Sequence, residues 1–273
     1  MNRDNLSLKN RSFSEILMLL PNLIASLLDL IFCIPIFGRV FKWIWNSLIT
    51  LVHIIFGLVE YLLWTLGYRP VKKFGIGFLV LRDQNGEPLI TPEEIMPAVQ
   101  KAQEIFDQAN VQIIPAFPRP KKLSESGDLP ESSTWVRTLR KSAASRILEV
   151  DCNLPAMLQD LGLPGTQFQF ETLGAFFQTS VRRLTGYGAP VTVFVVKNIG
   201  KFTGCSLGWL SDYVTVKHDH IFTTAHELGH ACNLLHMSDR ANLMHPSSGK
   251  QKTILLETWQ IALLRASRHI TFF

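Results

Sequence analysis

Residues 225–236 read AHELGHACNLLH, and these twelve residues decide how the rest of the chain is interpreted. On an α-helix His226 and His230 are one turn apart and point the same way, so both imidazoles can reach one metal ion. Glu227 lies about 100° around the helix from His226. It can therefore accept a proton from a metal-bound water without being a ligand itself.

A third histidine follows the predicted helix. Asn233 tolerates the left-handed conformation that ends a helix and reverses the chain, so His236 can swing back towards the other two. Three neutral imidazoles leave the fourth position of a tetrahedral zinc ion open for water, whose pKa the ion lowers to about 7. The spacing predicts one catalytic Zn²⁺ on His226, His230 and His236. The alternative, a solvated helix face and an unrelated surface histidine, leaves the placing of Asn233 unexplained.

The pattern HExxHxxNxxH, followed by Met244, resembles the metzincin clan of zinc endopeptidases over residues 221–246. The distance to Met244 and the LMxP form of the turn are most similar to matrixins. The resemblance implies that Glu227 is general base and then acid, and that Met244 forms a tight turn beneath the zinc. It further implies that residues 204–210 form an edge strand that pairs with an extended peptide substrate. The substrate-pocket residues implied in this way are His245, Pro246, Gly204, Leu207 and Gly208.

Some residues depart from the family pattern. Asn233 stands where glycine is usual, and Met237 matches none of the residues that mark the main families. A second metal at His218 and His220 is a further hypothesis, but a polar strand end is the preferred interpretation of these two residues.

The elements predicted around the motif are those of an α+β domain with a mixed sheet and an active-site helix, covering residues 76–273. Thr91 is predicted to cap a helix that runs to about residue 109, because Pro92 and Glu94 follow it. The apolar run 191–196 is predicted to be a central strand. The remaining predictions are strands at 76–81, 111–114, 146–150 and 213–216, and helices at 155–161, 172–184 and 256–268.

The N-terminal part is strongly apolar. After a polar tail (1–14), the runs 16–37 and 44–66 each reach the roughly 20 residues that a helix needs to cross a bilayer. They predict a two-helix transmembrane hairpin over residues 15–67, with a turn near 38–42 and an Asp29–His53 hydrogen bond between its helices. A basic linker (68–75) would follow. The alternatives are a buried helical pair in a soluble protein and two helices lying on the membrane surface.

Charge predicts the orientation of this hairpin. Of the net charge of +5, most belongs to residues 1–73, which carry eight Lys/Arg and four Asp/Glu. Six of these bases flank the outer ends of the hairpin and two lie in its turn, which predicts a two-span protein with a cytoplasmic catalytic domain. Because the remaining residues are nearly neutral, a nucleic-acid partner is not expected.

Four cysteines are present, at positions 33, 152, 205 and 232. A Cys152–Cys205 bridge is conceivable in an oxidising compartment. Free thiols are the favoured prediction.

These observations together predict a membrane-anchored zinc-dependent endopeptidase, with Glu227 as general base, a protein or peptide substrate, and the bilayer as partner of residues 15–67. One alternative is a zinc hydrolase of non-peptide amide or ester bonds. Another is a non-enzymatic membrane adaptor with a vestigial site, against which the intact Glu227 argues. Intramembrane proteolysis is disfavoured, because the motif lies roughly 160 residues beyond the hairpin and is too polar to be a span.

Overall fold

The computed structural model describes residues 37–116, 135–138, 188–206, 213–246 and 254–272. The elements predicted at 146–150, 155–161 and 172–184 lie outside these ranges, as do residues 1–36 and the predicted pocket residues Leu207 and Gly208. The described elements follow one another as α1 (Phe37–Thr65), β1 (Lys72–Val80), α2 (Pro92–Asp107), β2 (Val111–Pro115), β3 (Val136–Thr138), β4 (Val191–Val196), β5 (Gly204–Cys205), β6 (Tyr213–Lys217), a 3₁₀ turn (His218–Thr223), α3 (Thr224–Ala231), α4 (Thr258–Arg265) and β7 (Ile270–Thr271).

The strands form one mixed sheet that is mostly parallel, with the order β2-β1-β4-β6-β5. β1 pairs parallel with β2, β3 and β4, and β4 pairs parallel with β6. Two short strands run antiparallel, β7 against β1 and β5 against β6. The prediction of a mixed sheet is confirmed, and so is the central place of β4, which lies between β1 and β6 with five of its six residues buried.

Helix α2 begins as its sequence predicts. The Thr91 hydroxyl accepts from the Glu94 N–H, and the Glu94 carboxylate accepts from the Thr91 N–H, which completes a capping box before Pro92. Its apolar face packs into the main core, where Phe106 contacts Phe74 of β1 with their ring centroids 5.6 Å apart.

The motif helix α3 enters directly from the sheet. β6 ends at Lys217, a 3₁₀ segment with a kink at His220 follows, and α3 begins at Thr224. The helix ends with Asn233 at a φ of 68°, in the left-handed region. The predicted chain reversal therefore occurs at the predicted residue.

The N-terminal apolar segment differs from its prediction. α1 is one helix from Phe37 onwards, so the residues predicted to form the hairpin turn, 38–42, are helical. None of the helices in the described ranges combines the length and the apolar character that crossing a bilayer requires. α1 packs instead against α4 at the end of the chain, and Gly57 makes this close approach possible, because a Cβ built there would meet Leu263 Cδ2 at 2.7 Å.

α1 turns mostly polar and small residues towards the domain and large apolar residues outwards, which is the reverse of an ordinary surface helix. Residues at helical spacing that are mostly polar or small, namely His53, Gly57 and Glu60, face the domain together with Trp64. The exposed large side chains of this helix are Ile44, Leu48, Leu51, Val52, Ile54, Ile55, Phe56, Leu58, Val59, Tyr61 and Leu62. An apolar surface of this extent in a protein indicates a binding surface for lipid or for another apolar partner.

The segment predicted as a basic linker belongs to the domain. β1 begins at Lys72, four residues before the predicted strand. The Lys72 side chain is only 5% exposed, and its Nζ lies 2.6 Å from Glu60 Oε1 of α1. Arg265 of α4 holds the other carboxylate oxygen of Glu60 at 2.9 Å. These two ion pairs fix α1 to the domain.

Two further predictions concern single residues. The predicted Asp29–His53 hydrogen bond involves Asp29, which lies outside the described residues; both ring nitrogens of His53 have partners in the domain, Leu263 O and Asn233 Nδ2. The preference for free thiols is wrong for Cys205, which is disulfide-bonded. Cys232 is a free, buried thiol as predicted, and burial raises its pKa to about 12.

Candidate metal centre

Three imidazoles converge at the end of α3. His236 Nε2 lies 3.3 Å from His226 Nε2 and 3.1 Å from His230 Nε2. Among the described residues these three histidines form the one group of His, Cys, Asp or Glu side chains that could hold a metal ion. The left-handed turn at Asn233 is what returns His236 to the two helical histidines.

Backbone carbonyls determine which ring nitrogens face one another. His226 Nδ1 lies 2.8 Å from Leu243 O, and His230 Nδ1 lies 2.9 Å from Leu234 O. A carbonyl can only accept, so each Nδ1 carries the proton and each Nε2 presents a lone pair. Partners of this kind orient metal-binding histidines in proteins and increase their basicity as ligands.

The donor set fits a zinc ion. The Nε2 lone pairs of His226 and His230 point at the same atom, Nε2 of His236. That nitrogen cannot donate a hydrogen bond to both, whereas one cation can be bound by all three nitrogens. Nitrogen ligands at about 2.0–2.1 Å from a tetrahedral zinc lie roughly 3.3–3.4 Å apart, close to the separations found here. Burial also lowers the pKa of His226, and lowers that of His230 to about 4, which keeps both rings in the neutral form that binds metals.

Glu227 is buried next to β5. Glu227 is only 4% exposed, and this burial raises the pKa of its carboxyl group to about 8. A Cβ built on Gly204 would meet Glu227 Cγ and Cδ at 2.7 Å. The predicted general base and the predicted edge strand are therefore in contact, although 22 other residues separate them in the sequence.

Met244 lies under the motif helix. It is fully buried, and a Cβ built on Gly229 of α3 would come within 2.5 Å of Met244 Sδ. The Met244 N–H donates to Asn242 Oδ1, and the His245 N–H donates to Asn242 O, which closes a tight turn. The Met244 carbonyl in turn accepts from the N–H of Met237, next to the third histidine.

Nothing in the sequence near this turn indicates what supports it. The Asn242 and Gln260 side-chain amides are both buried and exchange two hydrogen bonds, of 2.7 and 3.1 Å, so that α4 holds the turn through Asn242. His53 and Glu60 of α1 were likewise missed as residues that face the domain. Their signal was present, because the two polar residues lie seven apart in an apolar run and so share one helix face.

The remaining candidate residues are those of the predicted substrate pocket and of the predicted second metal site. Gly204 belongs to β5 at the end of the described strand order, as an edge strand for substrate would require. His245 is half-buried and Pro246 is exposed, next to Met244. Among the residues that the structure describes, His218 and His220 belong to no group of potential metal ligands, and His220 Nδ1 contacts Asp219 Oδ1 at 2.9 Å.

No protein-family model matches the chain. No curated protein matches it either.

Proposed function

We propose that this protein is a membrane-associated, zinc-dependent endopeptidase. The observation that carries the proposal is the convergence of the three Nε2 atoms of His226, His230 and His236, with the first two rings fixed by backbone carbonyls. A structural zinc site would use four protein ligands, usually including thiolates. The three histidines leave one position for a reacting water.

A bound zinc and Glu227 would have separate roles in peptide hydrolysis. A bound zinc would act as a Lewis acid and lower the pKa of its water. Glu227, next to a ligand on α3, would take the proton of that water and return it to the leaving amine. Its burial makes a hydrogen bond to a reacting group stronger than it would be in bulk water.

The edge strand favours a peptide over other amides and esters. β5 pairs on one side with β6 and ends the described strand order, so an extended peptide can add to the sheet through main-chain hydrogen bonds. Gly204 of this strand touches Glu227, which would bring a peptide aligned there close to the general base. This contact supports the endopeptidase over the non-peptide hydrolase.

The membrane part of the proposal rests on α1. Its polar residues contact the domain, while Leu58 and Leu62, both more than 60% exposed, belong to its outward apolar face. We propose that this face lies against lipid. This corresponds to the second alternative predicted from the sequence, in which the helices lie on the membrane surface. Residues 16–36, which are apolar and directly precede α1, would add to the anchor.

The test uses the full-length protein in detergent, with zinc content and cleavage of unfolded protein substrates as separate measurements. Glu227→Gln should retain zinc and lose at least about 100-fold in cleavage rate. His236→Ala should lose both zinc and activity. His220→Ala is the matched control, since His220 contacts Asp219 outside the triad, and it should behave like the wild type.

The outcomes separate the candidate functions. A zinc-loaded wild type that cleaves small amides or esters but no peptide would support the non-peptide hydrolase. One inert towards all substrates would support the adaptor. Flotation with phosphatidylcholine vesicles tests the membrane part: Leu58→Glu with Leu62→Glu should weaken vesicle binding, whereas Glu104→Gln on the exposed side of α2 should not.

A further inference from the structure

Asn233 makes a contact that a glycine at this position could not make. Its φ of 68° lies where glycine is the usual residue, so glycine would serve the turn equally well. The Asn233 side chain, however, places Nδ2 at 3.1 Å from Nδ1 of His53 on α1. The amide thereby joins the turn of the metal site to a residue 180 positions earlier.

His53 is held on its other side by α4. Its Nε2 lies 2.8 Å from the Leu263 carbonyl. The backbone bonds that end this helix go to Ala262 O and Leu264 O, so the carbonyl between them is available to His53. Because Nε2 must donate to that carbonyl, Nδ1 carries a lone pair and accepts from the Asn233 amide. One imidazole thus connects α1, α4 and the turn after α3.

The third histidine of the triad is the one that depends most on this turn. His226 and His230 project from α3, and a carbonyl holds each Nδ1. Within the described ranges, His236 has no such Nδ1 partner, and it is the exposed member of the triad. Its position is set by the backbone between residues 233 and 236, and Asn233 begins that segment.

We infer that His53 is a positioning residue of the metal site, and that docking of α1 through the His53–Asn233 hydrogen bond sets the zinc affinity of the three histidines. The inference rests on the proposed zinc site. It gives the N-terminal helix a role beyond attachment. When α1 is docked, the turn is held in the conformation that returns His236; when α1 leaves the domain, the turn loses the Asn233–His53 hydrogen bond and the site binds zinc more weakly.

The experiment measures the zinc dissociation constant of the full-length protein in detergent by competition with a chromogenic chelator. His53→Leu removes the acceptor, and Asn233→Gly removes the donor while keeping a residue suited to the positive φ. Each should weaken zinc binding by about 10- to 100-fold, as loss of partners that orient metal ligands does. The double variant should be no weaker than the weaker single variant, because both substitutions break the same bond.

A conservative variant separates positioning from mere packing. In His53→Gln, the amide oxygen can accept from Asn233 and the amide nitrogen can donate to Leu263 O, so zinc affinity should recover most of the loss. Zinc affinity within twofold of wild type in both His53→Leu and Asn233→Gly would overturn the inference, as would additive losses in the double variant. Asn233→Gly keeps the test decisive if His53→Leu fails to fold.

The same measurements distinguish this inference from the proposed function. A wild type that binds zinc but cleaves no peptide contradicts the endopeptidase and leaves the affinity comparison valid. A wild type that binds no zinc overturns both. Wild-type binding with unaffected variants refutes the role of His53 alone.

Discussion

Gly204 and Glu227 are in such close contact that no side chain fits between them. A Cβ on the glycine would meet both Cγ and Cδ of the glutamate at 2.7 Å. The contact joins the end of the sheet to the motif helix at the residue that we propose as general base. The position of the carboxylate therefore depends on the absence of a side chain on β5.

We predict that Gly204→Ala lowers kcat/KM for peptide cleavage by about 100-fold while zinc content stays at the wild-type level. The added methyl forces the flexible end of Glu227 to move, and displacements near 1 Å in an active site can cost a factor of that size. The atoms nearest to the added methyl belong to Glu227 and not to the three histidines, so the metal should remain. Zinc content is measured by elemental analysis, and kcat/KM with a fluorogenic peptide.

The control for this prediction is Lys201→Ala, an exposed residue three positions earlier. It should leave both measurements unchanged. Wild-type kcat/KM in Gly204→Ala would mean that the Glu227 carboxylate can move without consequence, which is incompatible with its proposed role.

Met244 should contribute to stability through packing, independently of zinc. We predict that Met244→Ala lowers the free energy of unfolding of the metal-free protein by about 2–5 kcal/mol, because it opens a cavity under α3 next to Gly229. Met244→Leu nearly conserves volume and should cost less than about 1.5 kcal/mol. Denaturant unfolding with a chelator present measures both. Equal stability of the two variants would show that Met244 is not tightly packed.

The local sequence was sufficient to predict the start of α2, the central strand β4 and the convergence of His226, His230 and His236. The capping box before α2, the apolar run of β4 and the positive φ at Asn233 each follow from a few neighbouring residues. Contacts between distant parts of the chain were not predictable in this way. Nothing near Asn242 indicates Gln260, and nothing near Gly204 indicates that Glu227 lies against it.

The N-terminal helix shows what a hydrophobic pattern alone does not predict. Length and apolarity alone suggested a second limb of a hairpin, with His53 paired inside the hairpin. The polar positions 53 and 60 instead mark the face that contacts the domain, through Leu263, Arg265 and Lys72. An apolar run with polar residues on one face therefore has two explanations, a partner helix or a folded domain, and sequence periodicity does not separate them.

Glu60 should be the main electrostatic link between α1 and the domain. Its carboxylate pairs with Lys72 and Arg265, whose side chains are only 5% and 1% exposed. We predict that Glu60→Gln lowers the free energy of unfolding by about 3 kcal/mol, because two buried cations lose their counter-charge. The thermal midpoint in detergent should fall by roughly 5–10 °C.

Glu104→Gln is the matched control for Glu60→Gln, since it makes the same chemical change at an exposed position of α2. It should alter stability by less than about 0.5 kcal/mol. An equally small change in the free energy of unfolding for Glu60→Gln would contradict the prediction. It would mean that the retained hydrogen bonds of Arg265 to the carbonyls of Ala109 and Pro70 suffice to keep the cation buried.

The disulfide at Cys205 bears on the compartment in which the domain lies. Basic residues around the N-terminal segment predict the cytoplasm. A structural disulfide instead favours an oxidising compartment, because cytosolic thiols are kept reduced. We predict that alkylation of the acid-quenched, denatured protein without reductant modifies Cys232 and leaves Cys205 unmodified, and that prior reduction exposes Cys205 as well. Tryptic cleavage after Lys201 and Lys217 places the two cysteines in different peptides for mass spectrometry.

Cys232 is the internal control in this experiment, since it is buried but free and should react once the protein is denatured. Unmodified Cys205 in protein from the native host, taken with protease accessibility of the domain from the non-cytosolic side, would reverse the orientation predicted from charge. Alkylated Cys205 without reductant would contradict the disulfide and support the cytoplasmic side. The orientation matters for the proposed function, because it decides whether cytosolic or exported proteins can reach the zinc site.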